Sequence, residues 1–153
     1  MDAPDRSFSV VLVGLQGAGK STLARGFFGD THVRLNLDML RTRFREASML
    51  EACLGSRTAF VVDNTNLTPE ERARYTEASR GRATLVAIWV DAPLEAALAR
   101  NATRVGDARV PDHVIVGAQR RLVPPRHAEG FEAVWRFRSD ALSWELVPKE
   151  GVP

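Results

Sequence analysis

The chain has 153 residues, 44% hydrophobic and 26% charged, with a formal net charge of +2. That length suits a single domain spanning 1–153 with a real core, and the composition excludes collagen-like, disordered and coiled-coil classes. No apolar run approaches the roughly 20 residues a membrane span needs, and Met1–Arg6 carries no signal-peptide pattern. Cys53 is the only cysteine, so an internal disulfide is excluded and a reducing, cytoplasmic setting is expected.

Ser7–Val13 is a continuous apolar, β-branched run ending in glycine, as a buried parallel strand should be. A helix is expected from Lys20 to about Phe28 and a short second strand over His32–Asn36. Asp38 to about Leu54 reads as one helix, with Gly55 as its stop. Thr58–Asp63 reads as a third buried strand. Thr68, Pro69 and Glu71 give the next helix a cap, a first residue and a capping box. That helix runs to about Ser79 and ends by Gly81. Ala83–Val90 is the fourth strand, with Trp89 as a core residue. Pro93 to about Thr103 is helical, with Leu94, Ala97 and Leu98 on one face. Val105–Val110 reads as a loop. Pro111 to about Leu122 is a further helix, cut off by Pro124 and Pro125. Phe131–Phe137 alternates as a strand, Ser143–Val147 is its candidate hairpin partner, and the tail from about Val147 is expected to fray.

This alternation of strand and helix predicts an α/β fold of three layers. It has a parallel sheet of order 2-3-1-4, an added edge strand and helices on both faces. Ligands of such sheets sit outside the carboxyl ends of the strands. The chemistry-bearing residues fall at those ends.

Gly14-Leu15-Gln16-Gly17-Ala18-Gly19-Lys20-Ser21 fits the pattern G-x-x-x-x-G-K-[ST]. It follows a buried strand and opens a helix, the context in which this pattern cradles phosphates. The glycines let successive backbone N–H groups face one anion, and the helix turns its positive end to the same point. The expected nucleotide cradle comprises Gly14, Gln16, Gly17, Ala18, Gly19, Lys20, Ser21 and Thr22. Lys20 can reach the β- and γ-phosphates, and the Ser21 hydroxyl can bind Mg²⁺. The loop identifies nucleotide binding, with ATP expected, and leaves the acceptor open. Only Lys20 and Lys149 are lysines among the 21 basic residues. Genome composition is the simple source of that bias, though arginine's planar fork also suits phosphate.

Asp38 and Arg41 follow the second strand at i and i+3, which would share a face at a helix start. Asp38 could take the proton of an attacking hydroxyl, and Arg41 could hold an acceptor phosphate or neutralise transferred charge. A helix cap and a solvated arginine are the plain alternatives. Asp63, ending the third strand, stands where a metal-water ligand is expected, and Asn64 and Asn66 suit turn roles. Arg100 and Arg104 lie at i and i+4, on one helix face ahead of a loop that could close over a nucleotide and also carries Arg109. Arg120, Arg121 and Arg126 could flank a base or a strand, or be surface. His32, His113 and His127 lack metal-ligand spacing.

The ordered segments GLQGAGKST, NLDMLR, VVDNTNLTPEERARY and DAPLEAALARNATRVGDARVP, with Glu129-Gly130-Phe131 downstream, resemble the kinase domain of viral and animal 5′-polynucleotide kinases from about Ser9 to Phe137. Gln16 stands where many members carry proline, and no phosphatase or ligase domain accompanies the kinase pattern. The resemblance implies ATP and Mg²⁺ as cofactors, with Asp38 as general base for a 5′-hydroxyl. It implies that Arg41 lies beside a 3′ phosphate and that Arg104 and Arg100 are lid arginines on the ATP phosphates. Lys20, Asp38, Arg41 and Arg104 are thus the expected catalytic set, with Ser21 and Asp63 for the metal. The expected acceptor is a nucleic-acid 5′ end. A small hydroxyl compound (nucleoside, sugar or antibiotic) is the alternative, and an ATP-binding switch a third reading. No membrane partner is expected, and the oligomeric state is left open.

Overall fold

The computed structural model describes residues 8–151. Six strands form one sheet in the order β2-β3-β1-β4-β5-β6. They are β1 (Phe8–Val13), β2 (Val33–Leu35), β3 (Phe60–Val62), β4 (Thr84–Asp91), β5 (Ala133–Arg138) and β6 (Ser143–Leu146). The first five run parallel and β6 returns antiparallel to β5. The expected order 2-3-1-4 is therefore present. The strand expected to close the edge, β5, instead lies inside, because its hairpin partner β6 takes that position. Ser7, expected to open β1, lies outside the described residues.

Among the described residues six α-helices accompany the sheet: α1 (Lys20–Phe28), α2 (Leu37–Leu40), α3 (Arg43–Ser56), α4 (Pro69–Ser79), α5 (Leu94–Ala102) and α6 (Asp112–Arg121). Alternation along β1 sorts the core into two faces. Val10 and Leu12 pack with Leu23 and Phe28 of α1, Ala97 of α5 and Ile115 of α6. Val11 packs on the other face with Leu50, Cys53 and Leu54 of α3 and Tyr75 of α4. Both faces of the central strand are therefore dry, which explains why its sequence runs apolar without a break. Among the described residues no helix is long and apolar enough to cross a membrane.

The single helix expected over Asp38–Leu54 is two. Asn36, not Asp38, caps α2, accepting from the Met39 N–H at 3.0 Å. The helix then stops at Arg41, whose φ is 77°. Thr42 starts α3 afresh, its hydroxyl accepting from the Arg45 N–H at 3.1 Å. Gly55 does not end α3, which continues to Ser56 and closes on Arg57 at φ 56°. The expected capping box at α4 is also altered. Thr68 accepts from the Glu71 N–H at 3.2 Å, but Glu71 reaches past it to the Leu67 N–H at 2.9 Å. The Val105–Val110 loop contains a 3₁₀ turn over Gly106–Ala108. Trp89 is half-buried rather than core, with the Arg136 guanidinium 4.8 Å over its ring. The stretch from about Val147 is tied down in its described part. The Val147 N–H bonds Val134 at 2.9 Å, and Glu150 pairs with Arg126 at 2.8 Å.

Candidate active site

The segment between β1 and α1 curls as the glycine spacing requires. Gly17 has φ 80° and Gly19 φ 105°, left-handed values that favour glycine. The neighbours tighten the requirement at Gly17. A Cβ on Gly17 would come 2.5 Å from the Ala97 carbonyl oxygen, a backbone atom that cannot yield, whereas at Gly19 the only near atoms belong to the movable end of Arg100 and the left-handed φ alone sets the requirement. Helix α5 thus backs the loop and lays Arg100 over it. Gln16 takes part in the curl with its Oε1 buried and unpartnered. Thr22 follows Ser21 in the first turn of α1 and is exposed.

Lys20 is folded against this loop. Its Nζ donates to the carbonyls of Gly14 at 2.9 Å and Leu15 at 2.6 Å, and the residue is only 8% exposed. Burial pushes the ammonium down to about 8. Asp63 pulls it up, Arg104 pushes it further down and Asp38 pulls it up. Asp63 and Asp38 thus act on Lys20 as favourable charges and Arg104 as an opposing one.

The end of β3 supplies the other wall. Asp63 is 2% exposed, and its Oδ2 accepts from the Ser21 hydroxyl at 2.9 Å. Hard oxygen donors this close, one at the end of the phosphate loop and one at the end of β3, fit Mg²⁺ held through oxygen and water. The same Oδ2 accepts from Arg34 of β2, an arginine that the sequence reading missed. Asn64 and Asn66 do not serve merely as turn residues. The Gly14 N–H bonds the Thr65 carbonyl at 3.0 Å, and Asn66 Nδ2 donates to Leu12 at 2.8 Å, so this stretch braces the strand that carries the phosphate loop. Asn64 Oδ1 accepts from the Leu37 N–H at 2.9 Å, and Asn36 Nδ2 donates to the Asp63 carbonyl at 2.7 Å. These bonds fix α2, and with it Asp38, to the end of β3.

A buried cluster stands behind Asn64. Glu46, 2% exposed, accepts from Asn64 Nδ2 at 2.8 Å, Tyr75 Oη at 3.1 Å and Arg43 Nη1 at 2.7 Å. Burial, with Glu46 adding to it, pushes the Tyr75 phenol up to about 12, so it remains a donor. No local pattern marks this cluster, because Asn64 and Tyr75 join Glu46 from 18 and 29 residues away.

Asp38 itself is exposed, as is Arg41. Arg41 is not one turn along a helix from Asp38, since it ends α2 in a strained conformation. On the lid side, Arg104 is half-buried and Arg109 exposed. Asn101, fully buried, clasps Val110 with both ends of its amide, at 2.7 and 3.0 Å, and so closes the base of the loop. Arg121 and Arg126 are engaged elsewhere, with Glu71 and Glu150, and Arg120 is exposed. Among the described residues no cluster of histidine, cysteine and acidic side chains could hold a metal ion.

A parallel sheet with a glycine loop between its central strand and a helix, closed by lysine and followed by a serine paired to a strand-end aspartate, defines a P-loop nucleotide-binding protein. The chain belongs to the AAA domain family (AAA_33), which matches residues 41–125. The matched stretch starts beyond the phosphate loop, so the assignment of 14–21 stands on its own geometry. Solved structures share the fold. A sugar kinase from Janibacter sp. HTCC2649 aligns with TM-score 0.65 at 18% identity, over 86% of this chain and 85% of that one. A gluconokinase from Sinorhizobium meliloti 1021 aligns with TM-score 0.60 at 19% identity, over 86% and 82%. A chain of the Pnkp1/Rnl/Hen1 RNA repair complex aligns with TM-score 0.61 at 22% identity, over 99% of this chain and 52% of that one.

Proposed function

We propose that this protein is an ATP-dependent phosphotransferase that moves the γ-phosphoryl group to a hydroxyl, with the 5′-hydroxyl of a polynucleotide as acceptor. The observation that carries the transfer reading is that Asn36 and Asn64 hold α2, and with it Asp38, to the strand end whose Asp63 bonds Ser21 of the phosphate loop. A switch needs no carboxylate on the acceptor side of its phosphate loop. In this reading Lys20, Arg100 and Arg104 meet the polyphosphate, and Asp38 accepts the proton of the attacking hydroxyl. Ser21 and Asp63 hold Mg²⁺, which supplies charge neutralisation on the phosphates when bound.

The openness of the surface around Asp38 supports a polymeric acceptor. Met39 is 55% and Phe44 81% exposed, and Arg41 and Arg45 are exposed beside them. Arginines interleaved with bare apolar side chains suit a strand whose phosphates and bases both need contacts. A chain in an RNA repair complex among the structural neighbours accords with this.

The test offers labelled ATP with a 5′-hydroxyl oligonucleotide and with its 5′-phosphorylated twin, at two salt concentrations. Transfer to the first alone, weakening with salt as released counterions require, is expected. Transfer to small alcohols and to neither oligonucleotide would move the acceptor to the sugar or nucleoside class. Transfer to nothing, with ATP bound, would leave a binding module.

A further inference from the structure

Arg34 has no role in the site as described so far. It is the middle residue of the three-residue edge strand β2, between Val33 and Leu35. Leu35 is buried in the core on the α3 face, so strand alternation sends Arg34 to the opposite face, where α1 begins. There its Nε reaches Asp63 Oδ2 at 2.8 Å, Nη2 reaches the same oxygen at 2.8 Å, and Nη2 also donates to Ser21 Oγ at 3.3 Å. Asp63 Oδ2 accepts from the Ser21 hydroxyl as well. Three donors therefore converge on one carboxylate oxygen, and one of the Ser21 lone pairs is engaged. A carboxylate oxygen has about two lone-pair sites to offer.

We propose that Arg34 is a resident cation of the phosphate-transfer site, competing with the divalent metal for Asp63 and Ser21 and standing in for part of its charge when only nucleotide is bound. The inference rests on the reading that Ser21 and Asp63 hold the metal of a phosphotransferase. The guanidinium cannot give up its charge, so metal and arginine repel each other across the carboxylate they share. Entry of the metal requires the fork to release Asp63 Oδ2 and swing outward, which the side chain can do because it is 25% exposed at an edge strand. Without metal, the same fork is a charged donor beside the phosphate loop. Metal-free ATP then meets one more cation than the loop alone supplies. The protein should hold ATP before the metal arrives, and the metal should bind less tightly than the two oxygen donors alone would allow.

The experiment compares the unaltered protein with Arg34→Gln, using Mn²⁺ as the probe metal and a non-hydrolysable ATP analogue. Mn²⁺ affinity is read by electron paramagnetic resonance with the analogue bound, and analogue affinity by calorimetry in EDTA. Arg34→Gln should tighten Mn²⁺ about tenfold or more, and weaken the metal-free analogue by a similar factor. Arg34→Lys, which keeps the charge and loses the fork, should fall between the two. A purely structural role would weaken both affinities together. That result, or no change in either, overturns the proposal. Should Arg34→Gln fail to fold, the unaltered protein still decides. The Arg34 Nε–H resonance, in slow exchange while it rests on Asp63, should shift and exchange faster on adding metal, and a resonance indifferent to metal overturns the proposal. Opposite shifts of the two affinities without transfer to any acceptor would sink the kinase reading and leave this one standing. Transfer with unshifted affinities would do the reverse.

Discussion

At the scale of single residues, Lys20 and Asp38 should separate cleanly. Lys20→Ala removes a charge from the developing phosphoryl transition state and should lower kcat by about 10² or more. Asp38→Asn should lower kcat by a similar ~10²-fold, the range of a general base, while leaving ATP affinity unchanged. Steady-state kinetics with ATP binding measured separately checks both. Asp38→Asn with weakened ATP binding and normal kcat would make Asp38 a structural residue. Cys53 supplies a different readout. It is 5% exposed, and burial pushes its thiol up from the ordinary range. Thiolate is the reactive form, so native protein should react with maleimide far more slowly at pH 7 than protein in urea, and the gap should narrow as pH rises. Equal rates at pH 7 would show that the α3 core opens readily. Lys20, Ser21, Asp38 and Asp63 could be nominated from the sequence because each sits in a local pattern next to a strand end. Local patterns could not show Arg34 reaching Asp63, 29 residues away, or Asn64 reaching Glu46, 18 residues away.

At the scale of elements, the break between α2 and α3 is the instructive departure. The stretch from Asp38 to Leu54 contains no glycine or proline, and its apolar spacing runs through without interruption, so it reads as one helix. Two caps decide otherwise. Asn36 and Thr42 each bind the third N–H beyond themselves, which starts a helix twice, and the intervening residue must turn the chain. That residue is Arg41, at φ 77° and ψ −37°, a conformation that costs about 1–3 kcal/mol for a side chain with a Cβ. An arginine kept there argues for use rather than convenience. Arg41→Gly should therefore hold or raise the melting temperature while lowering kcat/KM for the acceptor. Thermal melts beside acceptor kinetics would show it. A lower melting temperature with normal kinetics would mean that Arg41 serves the fold alone. The main helices and strands were readable because buried apolar periodicity sets them. Their ends were not, since a cap depends on which of several eligible side chains reaches the backbone.

At the scale of the whole molecule, one buried side chain joins regions distant in the chain. Arg72 of α4 is fully buried. It donates to both carboxylate oxygens of Glu129 at 2.8 and 3.0 Å, to the Asn66 carbonyl at 2.8 Å and to the Val123 carbonyl at 3.0 Å. It thereby ties the stretch that braces the phosphate loop to the segment leading into β5. Removing one partner strands a buried charge, so Arg72→Met should cost about 3–5 kcal/mol in urea unfolding. The double change with Glu129→Gln should recover part of that loss. A near-neutral single variant would mean that water reaches the pair. The sheet order was expected from the alternation of strands and helices with right-handed crossovers, whereas this cross-link depends on long-range pairing that no local pattern encodes.

The scarcity of lysine has a practical side once its two positions are seen together. Lys20 is enclosed at the carboxyl end of β1, while Lys149 is exposed and sits 4.0 Å from Glu132, beside the amino end of β5. The strands are parallel, so these are opposite poles of the sheet. A tether selective for ε-amines would attach through Lys149 and leave the phosphate loop facing outward. The protein therefore carries its own handle for oriented immobilisation on a sensor surface, with the nucleotide-binding pole presented to the flow.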